Sequence, residues 1–189
     1  MKTTSELAFE SFLIENNLTF EKIEEETTRR PDYLVQIGDV KLMFEIKELD
    51  FEGGNRTIGD HVRRKIKEAR GQVRYGAEQG VPAVLLVYNS NTAGALFSCG
   101  IEDHDFRTAM YGEYTLTLDR STGAKLDAFH GRNQSMRKEW NTEFSAIGRL
   151  KRGSERMAVT LFENVFSRVS IPYEKLPACF DARRVKISA

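Results

Sequence analysis

A chain of 189 residues with 40% hydrophobic and 30% charged side chains is too apolar to stay disordered, and it suits one compact domain burying about 70% of its unfolded surface. Its 28 basic and 28 acidic side chains cancel, so any nucleic-acid surface has to come from local patches and not from a basic total. The longest apolar run, residues 81–88, contains Pro82 and falls far short of the roughly 20 residues of a membrane span. The segment from Met1 to Glu6 lacks the apolar stretch and cleavage site of a signal peptide. Cys99 and Cys179 stand alone, without CxxC spacing, and His61, His104 and His130 are scattered. Together these predict a soluble protein of a reducing cytoplasm, with no disulfide framework, no zinc site and no membrane partner.

Thr4 or Ser5 caps a predicted helix that runs to Asn16 and Asn17, with Leu7, Phe12, Leu13 and Ile14 as apolar contacts. Glu6 and Glu10 fall on its apolar side, an unusual place for carboxylates. Residues 19–23 read as a strand. Residues 33–37 and 40–47, joined by Gly38-Asp39, read as a β-hairpin with Gly in the first turn position. A Gly-rich loop over residues 50–60 leads to a helix over 61–79, capped by Asp60 and ended by Gly80. On it Val62, Ile66, Ala69, Val73 and Ala77 form a buried stripe, and Arg63, Lys67, Arg70 and Arg74 a cationic stripe on the next face.

Residues 81–88, apolar on both faces, make a central strand, and the strand–helix–strand order predicts a right-handed parallel crossover in an α/β fold. Further on come a short helix over 105–110, a strand over 114–118, a polar basic loop over 130–138, and strands over 144–150 and 157–162. A tail with Pro172 and Pro177 is expected to pack over the sheet edge. The reading is a single domain over 1–189, with a core over 1–90 and a strand-rich extension over 91–189 packed on it.

The hairpin carries the chemistry. If Gly38-Asp39 is the turn, Ile37 pairs with Val40, and counting back along both strands brings Asp32 opposite Glu45. Like charges about 5 Å apart destabilise a sheet unless a cation sits between them. Lys47, two residues beyond Glu45, shares its face, while Phe44 and Ile46 turn to the other. Mg²⁺ suits such an incomplete shell, because it takes one or two carboxylates and fills its other positions with water and phosphate oxygens. Glu10 would complete the shell. A lysine beside the ion would orient or help deprotonate the attacking water and offset charge building on a phosphoryl group. The bland alternative is a solvated sheet face on which Lys47 neutralises Glu45.

Pro31-Asp32, followed after a short hairpin by Glu45-Ile46-Lys47, resembles the PD-(D/E)XK nuclease superfamily, and the resemblance covers residues 1 to about 90. It implies a restriction-endonuclease-like α-β-β-β-α-β core, with a mixed central sheet flanked by helices and extended here by C-terminal strands. It maps the family's helix-borne acid onto Glu10 in Ala8-Phe9-Glu10, chosen over Glu6, one turn earlier on the same face, because its distance from the Pro-Asp corner and its Phe-Glu context resemble the family pattern better. The segment Gly71-Gln72-Val73-Arg74-Tyr75 is similar to the RecB-like and Holliday-junction-resolvase branches, which implies site roles for Gln72 and Tyr75.

The resulting expectation is a Mg²⁺-dependent deoxyribonuclease, endo or exo, with Mn²⁺ as a substitute ion. Asp32, Glu45 and Glu10 would hold the metal, Lys47 and Gln72 would assist catalysis, and Arg63, Lys67, Arg70, Arg74 and Tyr75 would contact DNA. A solvated helix face remains open for the cationic stripe, and a structural hydrogen bond for Gln72. The loop over 130–138, ending at Trp140, either stacks on nucleic acid or is an ordinary surface loop. A homodimer would suit the cutting of two strands. The rival readings are a nuclease-fold binding or protein-interaction module without cleavage, and a subunit active only in a larger assembly.

Overall fold

The computed structural model describes residues 2–24, 29–49, 57–90, 102–153 and 156–184. In chain order the elements are α1 (Thr4–Glu15), β1 (Thr19–Lys22), β2 (Tyr33–Ile37), β3 (Val40–Glu48), α2 (Asp60–Glu78), β4 (Ala83–Tyr88) and α3 (Asp103–Tyr111). They continue with β5 (Tyr114–Leu118), β6 (Lys125–His130), β7 (Ala146–Arg152), β8 (Met157–Glu163) and β9 (Phe180–Arg183). Seven strands form one mixed sheet in the order β1-β2-β3-β4-β7-β8-β9, and β5 with β6 forms a separate two-stranded sheet. The fold is α/β, a mixed central sheet flanked by helices.

The hairpin has the expected register, Tyr33 opposite Phe44 through to Ile37 opposite Val40. Its turn needs Gly38 at φ +58°. β3 and β4 pair in parallel from Met43–Ala83 to Glu48–Tyr88, with α2 as the crossover. β4 is buried at all six positions, which explains its unbroken apolar run. On one face of the sheet, Ala8, Phe9, Phe12 and Leu13 of α1 pack on Tyr33, Val35, Phe44 and Ile46. On the other, Val62, Ile66, Ala69 and Val73 of α2 and Phe106, Ala109 and Met110 of α3 pack on Met43, Leu85, Val87 and Ile147. α2 lies close to the sheet at Gly76, where a Cβ would come within 2.9 Å of Ala83 Cβ.

Several local expectations are corrected. Thr3, not Thr4 or Ser5, caps α1, in a reciprocal box in which Glu6 N donates to Thr3 Oγ1 (3.2 Å) and Thr3 N donates to Glu6 Oε2 (2.6 Å). Leu7 and Ile14 are exposed, and Ser5, Glu6, Phe9 and Glu10 occupy the buried side with Phe12 and Leu13. Gly59, at φ +82°, precedes α2 in place of Asp60, which accepts instead from Thr57 N. The tail extends the sheet, since β9 pairs in parallel with β8 as a seventh strand and does not merely cover the edge. β6, read as loop at its His130 end and otherwise unassigned, pairs antiparallel with β5. Residues 50–56 of the Gly-rich loop, and Cys99, lie outside the described residues. Among the described residues no helix is long and apolar enough to cross a membrane.

Candidate active site at the open end of the hairpin

The β2–β3 pairing ends at Tyr33–Phe44, and just beyond it the corner Pro31-Asp32 is tied to both neighbours. Ile23 N donates to Asp32 O (2.8 Å), and Ile46 N donates to Asp32 Oδ2 (2.7 Å). The second bond fixes the carboxylate against β3 and leaves Oδ1 without a hydrogen bond from the described residues. Strand alternation sends Phe44 and Ile46 into the α1-side core, so Glu45 and Lys47 project to the opposite face. Glu45 is almost fully buried, and Lys47 Nζ lies 2.7 Å from its Oε1.

The electrostatics bind Asp32, Glu45 and Lys47 together. Burial pushes the Asp32 carboxyl above its ordinary value; the Ile46 N–H and Lys47 pull it back only in part, while Glu6 pushes it further up. For Lys47, burial works against the charge, but the carboxylates of Glu45, Asp32 and Glu68 outweigh it and raise its pKa. Lys47 is therefore an ammonium at neutral pH, equipped to donate hydrogen bonds and offset negative charge and not to take a proton.

An open cavity of about 720 Å³ adjoins this trio, lined by Thr3, Glu6, Lys22, Ile23, Glu24, Asp32, Ile46 and Lys47. Glu6 and Lys22 form an ion pair across it, with Nζ 2.5 Å from Oε1. Burial opposes the Glu6 charge, but the bonds from Lys22 and from Thr3 hold its carboxyl below the usual value; Lys22 is raised by the same pair. Glu10 lies one turn further along α1 and does not line the cavity. Tyr33 Oη donates to its Oε1 (2.8 Å), and Lys2 Nζ meets its Oε2 (2.7 Å). Burial and the Glu10 carboxylate push the Tyr33 phenol far up, so it remains a donor. Lys22 is a cavity residue that sequence reasoning missed, and Glu6 is the competitor it set aside in favour of Glu10. The one available signal was the shared helical face of Glu6 and Glu10.

The other expected site residues are dispersed. Gln72 is half-buried, and its Oε1 takes no hydrogen bond from the described residues. Arg63 is engaged on all sides, donating to Asn133 O (3.0 Å), Ile58 O (3.2 Å), Thr108 O (3.2 Å) and Asp60 Oδ1 (2.5 Å). Arg70 donates to Glu143 Oε1 (2.7 Å) and lies over the Trp140 ring. Tyr75 packs under the Arg30 guanidinium. Of the cationic stripe, Lys67 and Arg74 stay exposed.

The donor set can be tested against Mg²⁺. Asp32, desolvated and with one oxygen uncommitted, and Glu45 offer the two carboxylates that an open, largely hydrated ion needs. Among the described residues no group of three or more His, Cys, Asp or Glu could hold a metal, and Glu10 is taken by Tyr33 and Lys2. The residues fit an ion that keeps most of its water, and they do not fit a closed protein cage. Compared with known proteins, the chain matches no family model, no curated sequence and no solved structure.

Proposed function

We propose that the chain is a metal-dependent nuclease that hydrolyses phosphodiester bonds of DNA, on a restriction-endonuclease-like core. The observation that carries the reading is the convergence of Asp32, Glu45 and Lys47 beside a polar cavity, with Asp32 desolvated and incompletely compensated. Asp32 and Glu45 would hold the ion, and Mg²⁺ or Mn²⁺ bound there would supply Lewis-acid polarisation of the phosphoryl group and an activated water. The Ile46 N–H keeps the Asp32 carboxylate in one orientation. Lys47, held as an ammonium, stabilises charge developing on the phosphoryl oxygens, and Lys22 adds a second cation at the rim. Glu6, and not Glu10, lines the cavity with Asp32, but it is committed to Lys22 and completes no metal shell.

The test is cleavage of labelled linear, single-stranded and branched DNAs with Mg²⁺, Mn²⁺ or EDTA, comparing the native chain with Lys47→Ala and Asp32→Asn. Metal-dependent cutting that falls by roughly 10²-fold or more in both variants is the expected result. Cutting that survives both substitutions overturns the assignment. A second reading, a binding module of the same architecture without cleavage, is favoured by the absence of a third acid from the pair among the described residues. It predicts no heat on titration with Mn²⁺ and no cutting.

A further inference from the structure

Trp140 is the only tryptophan in the chain, and its side chain is half exposed. Exposure here does not come from a loose loop. Arg137 and Trp140 exchange both backbone hydrogen bonds (3.1 and 3.2 Å), closing a tight turn. Met136, fully buried, anchors the turn through its N–H to Met110 O (2.8 Å). On the other side Asn141, at φ +57°, donates to Ser135 O (2.8 Å) and accepts at its carbonyl from the buried Asn164 amide (3.1 Å). A rigid scaffold therefore holds an indole toward water.

The indole has a stacking partner on one face. The Arg70 guanidinium carbon lies 4.0 Å from the ring centroid, and buried Glu143 fixes that guanidinium at 2.7 Å. Beside it opens a cavity of about 510 Å³, lined by Arg137, Lys138, Glu139 and Trp140. Lys67 and Arg74, both exposed, flank Arg70 along α2 at the spacings that make helix neighbours. The lining carries two cations and one acid, Glu139, and Trp140 is its one apolar side chain, where a protein partner would bury an apolar centre.

We infer that Trp140 is a stacking platform for an unpaired nucleobase, with Lys67, Arg74, Arg137 and Lys138 receiving the flanking phosphates, so that the nucleic acid bound here is single-stranded. A planar aromatic backed by a fixed guanidinium and ringed by cations is the chemistry that binds single strands without reading their sequence. A blunt duplex keeps its bases stacked on each other and offers this surface only its backbone. The inference rests on the nuclease reading for its class of ligand and extends that reading to the form of the substrate.

The single indole makes the test direct. In EDTA, where no metal-dependent cutting occurs, the full chain is titrated with an oligothymidylate of about a dozen nucleotides while tryptophan emission is recorded. Saturable quenching is expected, weakened by salt, with little quenching by a blunt duplex. Anisotropy of a labelled oligonucleotide should show roughly tenfold weaker binding to Trp140→Ala and partial recovery in Trp140→Phe, each checked for native circular dichroism. Absence of quenching, or Trp140→Ala binding as tightly as the native chain, overturns the inference; equal quenching by the duplex does the same. Stacking without any cutting in Mg²⁺ would remove the nuclease reading alone, and cutting without stacking would remove this one alone.

Discussion

Charged side chains pair in two regions of this molecule, the open end of the hairpin and α2, and the two are built differently. At the open end of the hairpin the cations are lysines: Lys22 meets Glu6 and Lys47 meets Glu45 beside a cavity that Asp32 also lines, and Lys2 meets Glu10 one turn further along α1. On α2 a buried lysine, Lys65, pairs with Glu68 of the same helix, and the cations tied to other parts of the chain are arginines. Arg63 is held by three backbone carbonyls and Asp60, and Arg70 by Glu143 and the Trp140 ring. A guanidinium is a rigid fork whose donors can all be used at once, whereas an ammonium is a point charge on a flexible stem that can exchange one partner for another. The α2 arginines are clamps. The hairpin lysines leave Asp32 with a charge that burial penalises and its neighbours only partly offset, a pattern found at functional sites more often than in clamps.

The largest expected effect separates clamp from free cation. Arg63→Ala strips three carbonyls of a donor, with Thr108 O partly buried and the other two open to water, and should lower unfolding free energy by about 2 kcal/mol in a urea titration. Arg74→Ala, on the same stripe but exposed, should stay within about 0.5 kcal/mol. Equal losses would break the comparison.

Asp32→Asn should move stability the other way. Its amide oxygen still accepts the Ile46 N–H, but the desolvated charge is gone, so the variant should match or exceed the native chain by about 1 kcal/mol near neutral pH. The sign follows from linkage. With the folded pKa above the ordinary 3.8, the contribution of Asp32 to stability is full below that value and is lost as pH rises through the folded value. The gap in favour of Asn should therefore open between acid and neutral pH. Saturating Mg²⁺ should reverse it, raising the native melting temperature and leaving that of Asp32→Asn unmoved. A variant less stable than the native chain at every pH, with or without Mg²⁺, would make Asp32 a structural residue.

The same contrast explains what could be read from the sequence. A two-residue turn fixes strand pairing by counting, so the register from Ile37–Val40 to Tyr33–Phe44 and the shared face of Glu45 and Lys47 were legible from Gly38-Asp39. Asp32 lies one residue beyond the paired stretch, placed by its bond from Ile46 N. The 3.6-residue period made the buried stripe of α2 legible as well. The choice between Glu6 and Glu10 was not, because they stand about 40° apart on one helix. Tyr33 and Lys2 claim Glu10, while the Thr3 cap and Lys22 hold Glu6, and no local pattern announces those partners. The clamping of Arg63 and Arg70 was equally hidden, since Asn133, Thr108 and Glu143 are brought to α2 by tertiary structure. β6 escaped notice because its strand pattern buries almost nothing, and its apolar residues Leu126 and Phe129 remain exposed.

The smallest expected effect is the sharpest test of the lysine cluster. Lys22 is substantially exposed and its pair with Glu6 lies at the cavity rim, so Lys22→Gln should alter stability by only about 0.5 kcal/mol. Glu6, with its carboxyl held low, contributes stability above the ordinary glutamate value and loses it as pH falls through the folded value, so even that small difference should vanish in acid. If Lys22 served Glu6 alone, the double variant Glu6→Gln/Lys22→Gln would cleave as the native chain does. A lysine that also receives the phosphodiester predicts a higher KM in both Lys22→Gln and the double variant, with stability almost unchanged. A pair that only pins α1 to β1 would show the reverse, lost stability with KM unmoved.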